Sequence, residues 1–185
     1  MAPLMNIVTL SHQLPQDDAE IDVLLDMVFG IGRRTKTSYR LREGNHAALG
    51  LSLVLREAGF GIVAAISYWP LAIGEAQTPA LLLGPLAVHP ARQNLGHGRK
   101  LMAESLANAK QLGHQLIILI GDAPYYLRAG FVPVPAGQID LPGPFDAARL
   151  LHFELVEGAL AKTHGLALPP WRWAEISALR AATLS

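Results

Sequence analysis

Residues 80–120 constrain this chain more than any other part of it. Residues 80–88 are almost wholly apolar, as in a strand buried on both faces. A polar loop follows. Residues 98–112 then set Leu101, Met102, Leu106, Ala109 and Leu112 on one side of a helix, with Gly113 where a C-terminal cap belongs. Residues 115–120 (Gln-Leu-Ile-Ile-Leu-Ile) form a second compact buried strand. Strand, loop, helix and strand make a βαβ unit, whose strands run parallel through a right-handed crossover. Gly84-Pro85 breaks the pattern. Proline has no N–H to give a ladder, so the first strand must bulge there or part from a neighbour.

The remaining elements surround that unit. Residues 5–10 are a short β-prone run. In residues 17–29, Ile21, Leu24, Leu25, Val28 and Phe29 fall at helical spacing behind the acidic start Asp17, Asp18 and Glu20. Residues 48–57 and 61–71 read as a hairpin joined by Ala58-Gly59-Phe60. Residues 123–129 suit two helical turns, and residues 131–134 and 150–156 are β candidates. The tail from Pro169 reads as a helix docked on the domain through Trp171, Trp173, Ile176 and Leu179. The expectation is an α+β fold in α/β/α layers around a parallel central pair. With 185 residues, a single domain spanning 1–185 is expected, its core over about 5–156 and the tail 157–185 packed on it.

Composition removes whole classes of function. The chain has no cysteine, which excludes a disulfide scaffold, a thiolate metal site and a Cys nucleophile. Fifteen basic residues balance fifteen acidic ones, so nucleic acid is not the expected main partner. Residues 1–31 carry no Lys or Arg, and the apolar stretch 58–74 is broken by Gly59, Gly61, Ser67 and Pro70; no leader or membrane anchor is expected, and the protein is read as cytoplasmic. The histidines show no paired metal-ligand spacing, so no metal is expected.

The chemistry concentrates in Gln93-Asn94-Leu95-Gly96-His97-Gly98, between a buried strand and a helix start. Two glycines there let backbone N–H groups close on an anion that the helix dipole also favours. Arg92, Arg99 and Lys100 flank the loop and extend its reach to further phosphates. The dinucleotide fingerprint lacks its third glycine, and Gly98-Arg99-Lys100-Leu101 is not a phosphate-cradling Gly-Lys-Ser/Thr loop. The loop reads as a site for a phosphorylated ligand, most naturally a pyrophosphate, or alternatively as an ordinary tight strand-to-helix turn.

Leu86-Ala87-Val88-His89-Pro90, then Gln93-x-x-Gly96-x-Gly98, then Tyr126-x-x-x-Gly130-Phe131 resembles the GNAT superfamily of acyl-CoA-dependent N-acyltransferases. The block Gly121-Asp122-Ala123-Pro124-Tyr125-Tyr126-x-Arg128-x-Gly130-Phe131 brings it nearest to a bacterial subgroup of N-acetyltransferases. The resemblance implies a mixed, mostly antiparallel sheet whose central parallel strands splay apart. The pantetheine arm of acetyl-CoA would thread the gap, against backbone groups of Leu86, Ala87 and Val88. Gln93, Asn94, Leu95, Gly96, His97, Gly98, Arg99 and Lys100 would hold the cofactor's pyrophosphate.

The family's reaction is direct attack of a neutral amine on the thioester. Tyr126 falls at the position of the family's general acid, which protonates the departing thiolate; Tyr125, alternating with it, is expected to face the core. Asp122 suits a cap for the following helix, and alternatively a pantetheine contact or a base. Glu57, Glu75 and His89 are the other candidate bases, Arg128 fits an ion pair or a phosphate contact, and His97 is expected to face solvent. The acceptor, a small-molecule or peptide amine, would be bounded by residues 29–39, 67–73 and 133–145. Residues 33–42 hold five of the fifteen basic side chains and read first as a solvated face, alternatively as a patch facing the acceptor. Two rival readings stand beside this: a non-catalytic acyl-CoA sensor, and an enzyme acting on aminoacyl-tRNA. A homodimer is compatible with any of them.

Overall fold

The computed structural model describes residues 7–183; positions 5 and 6 of the first expected strand lie outside the described residues. The elements run β1 (Val8–His12), α1 (Asp18–Phe29), α2 (Thr37–Arg40), β2 (Leu53–Glu57), β3 (Gly61–Ile73), β4 (Thr78–Val88), α3 (His97–Gln111), β5 (Leu116–Ile120), α4 (Ala123–Leu127), β6 (Val132–Pro133), β7 (Ile139–Asp140), β8 (Leu150–Glu154), β9 (Gly165–Leu168) and α5 (Pro170–Thr183). The sheet order is β1-β2-β3-β4-β5-β8-β6, antiparallel except for the central β4–β5 pair. The expected α+β fold and its parallel pair are therefore present. No helix among the described residues is long and apolar enough to cross a membrane.

Alternation along the central strands builds the layers. In β5, Ile117 and Leu119 join Leu101, Met102 and Ala109 of α3, while Leu116 and Ile118 enter a second cluster on the other face. Early in β4 the same holds: Leu81 and Leu83 lie on the α3 face and Ala80 and Leu82 opposite. Beyond Gly84-Pro85 the parity reverses. Leu86 and Val88 now pack on the α3 side, and Ala87 joins Ile21, Leu24 and Leu25 of α1. The register shows why. Ile66 stands opposite Leu86 and Tyr68 opposite Leu83, so β4 spends three residues where β3 spends two. One extra residue flips every later side chain.

Side chains hold the bulge in place of the ladder. The Gly84 carbonyl accepts from Trp69 Nε1 at 2.9 Å and from Ser67 Oγ at 3.3 Å. A buried carbonyl left unpaired costs about 1–3 kcal/mol, so these bonds are what allow the irregularity to persist inside a sheet.

Helix α3 closes as its sequence dictates. Gly113, at φ +83°, lets its own N–H reach Lys110 O at 3.1 Å and that of His114 reach Ala109 O at 3.1 Å. Leu112 departs from expectation: it lies one residue past the helix and is exposed. Residues 48–52 are irregular rather than extended. The tail helix docks chiefly through Trp173, whose Nε1 donates to Ala72 O at 2.9 Å, while Trp171 stays partly exposed. The four-residue strand β9 continues the β3 edge at Ala72 and Ile73.

Replacing Trp69 with Phe deletes the main donor to Gly84 O and part of a packed ring. A loss of about 1–2 kcal/mol is expected in a urea titration, with Ser67→Ala costing less.

Candidate active site

Parallel pairing between β4 and β5 covers two positions, Leu81 opposite Ile117 and Leu82 opposite Ile118. Strand β5 ends at Ile120 while β4 continues to Val88, still paired with β3. The His89 N–H donates to Val63 O at 2.8 Å. Antiparallel alternation then turns the backbone groups of Val88 and Leu86 to the opposite edge, into the gap. The gap opens on a cavity of about 1430 Å³. That is larger than a single small ligand needs, and large enough for two.

The N-terminus of α3 forms one wall. Gly96 at φ +82° and Asn94 at φ +63° turn the chain so that successive amides face outward. The N–H groups from Asn94 through Arg99 donate to no group among the described residues, and the first satisfied amide of the helix is Lys100, bonded to Gly96 O at 3.0 Å. Six free donors at a positive helix end make an anion site. Gly98 is buried because the Tyr125 hydroxyl lies where a Cβ would stand. Gln93, Asn94, Gly96, His97, Gly98 and Arg99 line the cavity together with Leu86 and Val88. Ala87, Leu95 and Lys100 do not: Ala87 is turned toward α1, and Leu95 and Lys100 face outward. Arg92 is also withdrawn, held by both oxygens of Glu57 at 2.6 and 2.9 Å with its guanidinium 4.1 Å from the Phe60 ring centre.

Helix α4 supplies the opposite wall. The Tyr126 ring lies over Gly121, where any side chain would collide with it, and meets Phe131 edge-on at 5.7 Å. Burial pushes its phenol well above the usual tyrosine value. Tyr125 does not face the core as expected: it is partly exposed, its ring 5.0 Å from that of Tyr126 and its hydroxyl against the start of α3. Asp122 occupies the N-cap position of α4 but makes no side-chain cap bond; it is exposed and lines the cavity. His97 also lines the cavity, with its Nε2 sealed from solvent rather than facing it.

Residues 50–133 match the model of an acetyltransferase (GNAT) domain. An uncharacterized N-acetyltransferase of Escherichia coli, YjhQ, is 30% identical over 130 residues, covering 70% of this chain and 71% of that protein. The chain belongs to the GNAT acetyltransferase family. Among solved structures, the Brucella melitensis GNAT acetyltransferase in complex with acetyl-CoA is 30% identical, with a TM-score of 0.59 over 80% of this chain and 96% of that one. The Escherichia coli GNAT protein YhbS, solved with CoA, shares the fold at a TM-score of 0.76 and 24% identity, over 91% of this chain and 92% of that one.

In this GNAT chain the far end of the cavity differs from the sequence-based outline. Phe29, Arg33, Lys36 to Tyr39, Pro144 and Phe145 line it as expected, but none of residues 67–73 does. The basic segment is a solvated face in part: Arg34, Lys36 and Arg40 are exposed, while Arg33 and Arg42 turn inward. Arg33 is 2% exposed and bonds Asp22 at 2.8 Å, Asp26 at 2.7 Å and Tyr39 Oη at 2.7 Å. Arg42 lines the cavity in keeping with the alternative reading of the 33–42 run, whereas Asp146 and Arg149, from a turn without periodicity, carried no sequence signal. Of the four candidate bases only Asp122 lines the cavity: Glu57 is held by Arg92, Glu75 is exposed beside Arg180, and His89 Nδ1 accepts from Ala91 N. The wall carries six cationic side chains against two carboxylates, in a chain whose formal net charge is zero.

The Glu57–Arg92 pair ties the end of β2 to the loop before α3 and has a pH signature. Hydrogen bonds from Arg92 hold the Glu57 carboxyl below its ordinary value, against an opposing push from burial. Unfolded glutamate titrates near 4.3, so the pair's stabilisation is in place above that pH and disappears as pH drops through the lower folded value. Glu57→Gln is expected to melt below the wild type at neutral pH, with the two melting curves converging between about pH 5 and pH 3.

Proposed function

We propose that the cavity binds acetyl-CoA with its pantetheine arm along the free edge of β4 and its pyrophosphate on the amides of residues 94–99, and that a primary amine attacks the thioester directly. The observation that carries this reading is the two-position β4–β5 ladder, beyond which β4 presents backbone donors to the gap. Arg99 and Arg128, neither of them ion-paired among the described residues, are the cavity cations that would reach the phosphates.

The reaction requires a neutral nucleophile. A free alkyl ammonium has a pKa near 10, so its proton must leave first, and Asp122 is the wall carboxylate set beside the end of β5 to receive it. As the C–N bond forms, charge develops on the carbonyl oxygen, and the N–H groups of Leu86 and Val88 are its donors. The C–S bond then breaks, the thiolate takes the Tyr126 proton, and the nitrogen gives up its second proton to restore the Tyr126 phenol, leaving a neutral amide and the CoA thiol. Burial keeps that phenol protonated, and the same surroundings penalise a free thiolate beside it, so proton transfer and C–S cleavage proceed together.

Tyr125 supports a distinct role. Its hydroxyl lies against Gly98 at the start of α3, which supports a contact at the phosphate end of the cofactor rather than at the sulfur. Calorimetry and CoA-release kinetics on an amine panel separate the two tyrosines. Tyr126→Phe is expected to lower kcat about 10²-fold or more while leaving the acetyl-CoA Kd within about threefold, and Tyr125→Phe to weaken Kd with a smaller change in kcat. Tight acetyl-CoA binding with no turnover of any amine by the wild type would sustain the sensor reading instead. Turnover confined to aminoacyl-tRNA and strongly suppressed by salt would sustain the nucleic-acid one.

A separate expectation concerns pH. With an unhindered alkylamine, kcat/KM should climb about tenfold per pH unit from pH 6 to pH 9, because only the neutral amine attacks. A flat profile would mean instead that the ammonium form binds and gives up its proton inside the complex, to Asp122.

A further inference from the structure

We propose that the acceptor carries a carboxylate next to its amino group, as a free α-amino acid does, and that Arg42 receives that carboxylate. The inference rests on the acetyl-transfer reading above and names the substrate class of the same site.

Arg42 is a cation without an anion. Its guanidinium stands 4.3 Å from the Tyr39 ring centre and 5.9 Å from that of Trp69. Its Nε is sealed from solvent with no hydrogen-bond partner, and no carboxylate among the described residues pairs with the side chain. Burial draws its pKa down to about 10, against an opposing pull from the neighbouring Tyr39 hydroxyl, with the positive charge of Arg33 a smaller push in the same direction as burial. Cations in such surroundings are ordinarily paired, because the desolvation they suffer is otherwise uncompensated.

The contrast with Arg33 is internal to the same segment. Arg33 is engaged by Asp22, Asp26 and Tyr39, so the acids of α1 are directed to it and not to Arg42. Asp122 and Asp146 line the same cavity, yet neither forms an ion pair with Arg42. Tyr39 offers the guanidinium a ring face and a neutral hydroxyl but no negative charge, so a carboxylate remains the partner that the N–H groups of its fork lack.

Position selects the class. A Cβ on Gly84 would stand 3.5 Å from Arg42 Nη2, which puts the guanidinium directly over the bulge and two residues from Leu86. A carboxylate in that fork holds an amino group one carbon away beside the point where β4 turns its donors into the gap. A distant anion on a long spacer would not. The phosphates of the acyl donor have their own amides and cations at the start of α3, so Arg42 is left for the acceptor.

The test pairs each of the common L-amino acids with its decarboxylated amine, offers both with acetyl-CoA, and reads CoA release in the wild type and in Arg42→Met. For at least one pair, kcat/KM should favour the amino acid tenfold or more, and Arg42→Met should bring that ratio within threefold of one by raising the acceptor KM. The acetyl-CoA Kd of the variant, measured by calorimetry, should stay within twofold. Arg42→Lys, which keeps the charge but not the fork, should fall between and serves if Arg42→Met does not fold. The proposal is overturned if decarboxylated amines are preferred, if the preference survives in the variants, if aminomethylphosphonate outpaces glycine, if the variants lose acetyl-CoA binding, or if a wild type that binds acetyl-CoA turns over none of the amino acids. A wild type that does not bind acetyl-CoA would instead sink the reading of the donor site.

Discussion

One surplus residue in β4 governs the architecture of this site. Because β4 uses three residues opposite two of β3, its side chains exchange faces at Gly84-Pro85. Leu86 and Val88 thereby pack under α3 while Ala87 meets α1, and β4 diverges from β5 just where the parallel ladder ends. An irregularity of this kind in a central strand is tolerated only when its polar groups are satisfied. Trp69 and Ser67 do that from the neighbouring strand by capturing the Gly84 carbonyl. The gap is thus a built feature of the sheet, held from the β3 side, and leaves the β5 side open.

The part of the fold legible in the sequence was the part with period. Buried strands at residues 80–88 and 115–120, the amphipathic face of α3 and its Gly113 cap all followed from spacing alone, and the Gly84-Pro85 break announced the divergence of the strands. Residues 165–168 escaped notice because Gly-Leu-Ala-Leu is too short to show alternation, and β9 exists only because the β3 edge at Ala72 and Ile73 offers it a partner. Leu112 matched the helical stripe by count, but the helix ends one residue earlier and the side chain leaves the core.

The site was legible only where backbone carries it. A two-glycine loop before a helix leaves backbone N–H groups free, so the unpaired amides of residues 94–99 could be anticipated. Side chains were harder. Arg92 flanks the loop in sequence yet is turned to Glu57, a residue 35 positions away. Tyr125 and Tyr126 are adjacent on a short helix, and which of them meets the core depended on the bare backbone of Gly121 beneath one ring and of Gly98 beside the other hydroxyl. Arg33 and Arg42 lie in a single basic run, but only the former falls opposite the acids of α1.

That last pairing pattern explains how a chain with equal numbers of acidic and basic residues builds a positive cavity. Its acids are placed where they neutralise arginines away from the gap or at its margin: Asp17 and Glu20 on Arg56, Glu57 on Arg92, Glu75 on Arg180, Asp22 and Asp26 on Arg33. Arg42, Arg99 and Arg128 are left without counter-charges among the described residues, in or beside a low-dielectric cleft where an uncompensated charge acts over several ångströms more strongly than it would in water. Net charge alone would have hidden this, because the field at a site depends on which charges are already paired and not on their sum. The cleft that results is suited to anionic groups at both ends, with free amides and arginines at the α3 end and a single unpaired guanidinium over the bulge.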